Sequence, residues 1–133
     1  MNGKMAGVTL VADWEPKAGF KLGAKDIEGK QTYLGSQVWR NPRLEIREYD
    51  IPTPGPEEVL LEVKACGICG SDVHMAQAEQ DGYIYYPGLT GFPCILGHEL
   101  SGVVVEAGKN ARDKRTNKPF KGGEAVTTEE MLW

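Results

Sequence analysis

Apolar and polar residues alternate with a period of two in short runs along this chain, and Pro and Gly break the runs. Residues 5–12 (MAGVTLVA) are β-branched and apolar and end at Asp13, which predicts a first strand. Residues 44–51 (LEIREYDI) begin by alternating apolar with charged, the pattern of a half-buried strand, until Pro52, Pro54, Gly55 and Pro56 impose a rigid turn. Residues 59–65 (VLLEVKA) resume the alternation, with Val59, Leu61, Val63 and Ala65 on one face. Residues 100–107 (LSGVVVEA) predict the clearest strand, in which Gly102 marks a bulge or a close backbone approach. Gly122-Gly123 predicts a turn into a further strand.

The pattern lapses elsewhere. Residues 14–41 hold Pro16, Gly19, Gly23, Gly29 and Gly35 with scattered Phe20, Tyr33 and Trp39 and keep no period. They read as an irregular insertion, a surface excursion pinned by its aromatics. Ser71 is placed to cap a short helix running from Asp72 to about Gln80. Residues 83–94 and 110–120 read as loops, the second one exposed. Short strands separated by turns, with little helix, predict a mainly β domain, and a partly closed β-barrel would manage its edges.

Size and charge narrow the function. The 133 residues suffice for one domain and not for two of ordinary size. With 15 Lys and Arg against 19 Asp and Glu, a net charge of −4 and no basic run, nucleic acid is not an expected partner. No apolar run approaches the roughly 20 residues of a membrane span. Asp13 and Glu15 come too early for a secretory leader, so a cytoplasmic protein without a membrane partner is expected.

The candidate chemistry is concentrated. All three cysteines (Cys66, Cys69, Cys94) and both histidines (His74, His98) fall between positions 66 and 98. Cys66-Gly67-Ile68-Cys69 has C-x-x-C spacing, which suits a redox pair, a structural zinc knuckle or part of a catalytic zinc site. A redox pair wants a long helix after it, and a knuckle wants a second ligand pair. A catalytic zinc site keeps an open position and can take Cys69 and His98 with ligands from elsewhere, Glu99 and Asp72 standing beside them. Cys66 and Cys94 are then expected to be packed as small hydrophobes.

The stretches GICGSDVH, PCILGHELSGVVVEAG and GGEAV together resemble the N-terminal catalytic half of the zinc-dependent medium-chain alcohol and polyol dehydrogenases. The resemblance implies a GroES-like fold, a small twisted β-barrel, over the whole of residues 1–133, with 14–41 as an insertion. It also implies zinc held by Cys69 and His98, with Glu99 as a further or exchangeable ligand. Ser71 would take the substrate proton, His74 would end the proton relay, and Asp72 would brace a ligand. His74 reads equally as a solvent-facing helical histidine. Residues 20–39 and 81–93 and the terminal EEMLW resemble a subfamily of inositol catabolism, implying a cyclic polyol or its ketone as substrate.

NAD or NADP is the implied cofactor, yet no G-x-G-x-x-G occurs in the chain. The expectation is therefore the front part of a longer, homo-oligomeric enzyme, lacking its dinucleotide-binding domain and inactive alone. The alternative is a non-enzymatic GroES-like module that binds zinc or a partner.

Overall fold

The computed structural model describes residues 3–128. In chain order the elements are β1 Lys4–Trp14, α1 Ala24–Gly29, a 3₁₀ turn Gly35–Gln37, β2 Trp39–Asp50, β3 Val59–Cys66, α2 Gly70–Ala76, β4 Cys94–Ile95, β5 Leu100–Ala107 and β6 Ala125–Thr127. The strands form two open three-stranded sheets, ordered β2-β1-β4 and β3-β5-β6. Mainly β architecture with short helices is what the alternating runs predict. The terminal segment 129–133 lies outside the described residues.

The chain falls into two compact units, one of Met1–Met5, Asp50–Ile68 and Gly97–Trp133, the other of Ala6–Tyr49 and Cys69–Leu96. In the first unit β3 and β5 pair antiparallel from Val59 opposite Ala107 to Cys66 opposite Leu100. Their register shifts between Val63 and Ala65, beside Gly102. A Cβ at Gly102 would lie 2.5 Å from the Glu62 carbonyl oxygen, so the expected bulge and the expected close approach both occur here. Gly122 and Gly123 adopt φ of +85° and +89°, and the Gly123 N–H donates to the Val104 carbonyl at 2.8 Å, setting the turn into β6. The face of β3 that carries Val59, Leu61, Val63 and Ala65 is half-buried at its first two residues and open at the last two, Val63 being 52% exposed. Alternation decides which side chains share a face, and not whether that face is covered.

In the second unit β1 is central, with Thr9 opposite Ile95 and Leu10 opposite Cys94 of β4. Thr9 and Leu10 are fully buried, and the Thr9 hydroxyl hydrogen-bonds the Tyr49 hydroxyl at 2.7 Å. The core cluster is Val38, Trp39 and Ile84, packed by Trp14, Phe20, Leu22, Tyr86 and Phe92. Trp39 meets Trp14 and Phe92 edge to face, with ring centroids 4.9 and 5.0 Å apart. Its indole N–H donates to the Thr90 carbonyl at 3.4 Å.

Residues 14–41, read as a surface excursion pinned by its aromatics, are mostly exposed over 18–31, with Val38 and Trp39 buried. They contain a helical turn, start β2 and supply much of the unit's core. Irregular backbone can be buried here because its polar groups find partners. Thr32 and Thr90 exchange N–H···O bonds of 3.2 and 2.9 Å, the Ile84 N–H donates to Trp39 at 3.0 Å and the Glu15 N–H to Val38 at 2.8 Å. Residues 83–94 likewise place Tyr83 and Ile84 inside. Conversely, Leu44 and Ile46 of β2 are 57% and 82% exposed. The half-buried face of that strand carries Glu45, Arg47 and Tyr49, with Arg47 paired to Glu45 at 2.7 Å.

Candidate metal centre

The residues singled out for chemistry are held by local devices in both units. Cys69 stands in extended backbone (φ −81°, ψ 153°) as the N-cap of α2, and its N–H donates to Asp72 Oδ2 at 3.0 Å. That is the carboxylate half of a capping box. Ser71 is therefore inside the first turn and is not the cap, because Asp72, three residues past Cys69, secures the Cys69 N–H and starts the helix two residues earlier than a Ser71 cap would. The helix also ends at Ala76, short of Gln80, where the Gln77 N–H closes on Val73 at 2.9 Å. Asp72 is 7% exposed, so its bond to Cys69 is made in a largely desolvated place.

Cys94 is half-buried in the same unit. Burial first, and then the negative charge of Asp72, push its thiol above the ordinary value. His74 in the last turn of α2 is exposed, with its ring 5.6 Å from that of Tyr85 at a 43° tilt. The Tyr85 N–H donates to the His74 carbonyl at 3.2 Å.

In the first unit, His98 and Glu99 lie between Gly97, at φ +100°, and β5. An imidazole nitrogen of His98 and a carboxylate oxygen of Glu99 come within 4.8 Å of each other. Two backbone anchors fix this pair. The Gly67 N–H donates to the Glu99 carbonyl at 2.7 Å, and the Thr128 hydroxyl donates to the His98 carbonyl at 2.9 Å. Thr128 and Gly67 were not legible as site residues, since a threonine after a strand and a glycine before Ile68 carry no ligand signal of their own.

Cys66 departs from expectation. It is an exposed thiol and not a buried small hydrophobe, although its sulfur lies where a Cβ at Gly97 would approach within 2.6 Å. All three cysteines are free. As a donor set, the Cys69 thiolate, the His98 imidazole and the Glu99 carboxylate are of the kinds zinc accepts, so the residues present fit that metal.

The family assignment follows. Residues 55–132, more than half of the chain, match the alcohol dehydrogenase GroES-like domain, and the chain belongs to that family. It is 62% identical to the scyllo-inosose 3-dehydrogenase of Thermotoga maritima over 132 residues, 97% of this chain and 33% of the relative. It is 45% identical to the sorbitol dehydrogenase of Ovis aries over 69 residues, 52% of this chain and 18% of that enzyme. A solved Thermotoga maritima structure named as an alcohol dehydrogenase superposes with a TM-score of 0.84 at 62% identity, covering 96% of this chain and 33% of that one. The chain thus spans a third or less of the length of these relatives. Among the described residues no helix is long and apolar enough to cross a membrane.

Proposed function

We propose that this chain is the metal-holding part of a zinc- and NAD(P)-dependent dehydrogenase that oxidises a secondary alcohol of a polyol or cyclitol, inosose-like in structure. The observation that carries the reading is the side-by-side presentation of His98 and Glu99 on two backbone anchors, within a family of alcohol dehydrogenase domains. The resemblance to a scyllo-inosose 3-dehydrogenase supports the cyclitol class.

In this reading Cys69, His98 and Glu99 hold zinc, with Glu99 as the exchangeable ligand. Zinc, when bound, supplies a Lewis acid that lowers the pKa of an alcohol oxygen toward neutrality. The remaining work belongs to side chains. Asp72 fixes the backbone of Cys69 through its 3.0 Å bond and so limits where the thiolate can point. The Ser71 hydroxyl takes the substrate proton as it gives up its own, and His74 is the outer end of that relay. His74, exposed at the far end of the same helix, hands a proton to water, and the nearby Tyr85 ring restricts the imidazole. No residue of this chain is assigned to the nicotinamide: no G-x-G-x-x-G is present, and hydride transfer belongs to a protein that also carries a dinucleotide-binding domain.

Zinc content of the purified chain, alongside Cys69→Ser and His98→Ala, tests the ligand set, and polyol turnover by the protein containing this chain tests the activity. We expect zinc in the native chain, its loss in both variants, and NAD(P) reduction with cyclitols exceeding that with sorbitol. Zinc retained in both variants would overturn the ligand assignment. A protein that holds zinc but oxidises no polyol would be a binding module instead.

A further inference from the structure

Gly67 lies where β3 ends, one residue before the chain leaves the first unit, and no role in zinc binding follows from its type. Its surroundings are specific. A Cβ built at position 67 would lie 2.7 Å from Glu99 Oε2, 3.3 Å from Glu99 Cβ and 3.5 Å from the Glu99 carbonyl oxygen. The backbone cannot relieve that crowding by drawing apart, because the Gly67 N–H is bonded to the Glu99 carbonyl at 2.7 Å and the preceding residue, Cys66, is paired with Leu100. What can give is the far end of the Glu99 side chain. That same carboxylate end comes within 4.8 Å of the His98 imidazole.

We infer that Gly67 is a positioning residue for the metal: its missing side chain is the space that lets the Glu99 carboxylate lie beside the His98 imidazole. The inference rests on the zinc reading above and deepens it. Gly67 is not among the glycines of positive φ (Gly19, Gly82, Gly97, Gly122 and Gly123), so an alanine there meets no backbone penalty of that kind. Alanine at 67 therefore tests the space and little else. Gly70, the first residue of α2, supplies the control, since a Cβ built there meets nothing within 4 Å.

The experiment measures zinc affinity of the 133-residue chain by competition with a chromophoric chelator, and the visible ligand-field spectrum after loading with cobalt. Native chain, Gly67→Ala, Gly70→Ala, Glu99→Ala and the double variant of Gly67→Ala with Glu99→Ala are compared. Gly67→Ala is expected to weaken binding about 10- to 100-fold, the range typical of groups that orient a ligand. It should shift the cobalt spectrum while circular dichroism and the unfolding midpoint stay near native. Gly70→Ala should do neither, and in the Glu99→Ala background the Gly67 substitution should have no further effect. Native affinity in Gly67→Ala would overturn the inference, as would a loss that persists in full without the Glu99 carboxylate. A native chain that binds no metal would overturn the zinc reading itself, and this inference with it, before any substitution is compared.

Discussion

Cys94 and Cys66 show how differently two thiols of one short chain are placed. Burial and the Asp72 charge both oppose ionisation of Cys94, whereas Cys66 is exposed to solvent. Because the thiolate is the nucleophile, alkylation by iodoacetamide should reach Cys66 first and Cys94 last, read by peptide mass spectrometry. Asp72→Asn removes the second cause, so the Cys94 thiol should ionise at lower pH and react faster than in the native chain. An unchanged Cys94 rate would mean that burial alone sets its reactivity. Residue type made Cys69, His98 and Glu99 visible as donors in the sequence. It could not reveal the exposure of Cys66, because that depends on what the fold lays over a small side chain and not on the side chain.

The longer strands were the legible elements, whereas the two-residue β4, paired with β1, begins in a stretch read as a loop. β5 has the predicted bounds, and Gly102 announced the shift in β3, since a glycine in an alternating run marks a place where backbones approach. Gly102→Ala should therefore disturb the β3-β5 register, costing about 1–3 kcal/mol as an overpacked site, measured by denaturant unfolding. A cost near zero would show that β3 moves aside freely. That residues 14–41 also supply core was not legible, for a physical reason. Their burial comes from Trp39 meeting Trp14 and Phe92, contacts made by large rings on irregular backbone that leave no period in the sequence. The helix α1 buries no residue, so it has no apolar stripe to detect.

Among the described residues, four carboxyls are held below their ordinary values. Asp13 is lowered by Asn41 and then Arg43, Asp81 by Lys17 and then the Tyr83 N–H, Asp113 by the Thr116 N–H and hydroxyl, and Glu124 by the Lys121 N–H. A carboxyl depressed in the folded state stabilises it at any pH above the unfolded value, 3.8 for Asp81, and loses that contribution as pH falls through the folded value. The thermal midpoint should thus be flat near neutrality and decline below about pH 4. Asp81 is exposed and Asp13, Asp113 and Glu124 are half-buried at the surface, so solvent screens each pairing and each contributes modestly. Asp81→Asn should make the acid decline shallower in calorimetry, and an acid limb identical to that of the native chain would remove Asp81 from the account.

The bonds between residues 32 and 90 and the contact of Trp39 with Phe92 tie together two stretches that are far apart in the sequence and irregular in both places. An engineer wishing to transplant either one onto another domain of this family would strand its rings and carbonyls without their counterparts. The two stretches behave as a matched lock and tongue, so a chimaera that exchanges them jointly keeps a closed interior, and one that exchanges a single stretch leaves a hole where the indole of Trp39 had been wedged.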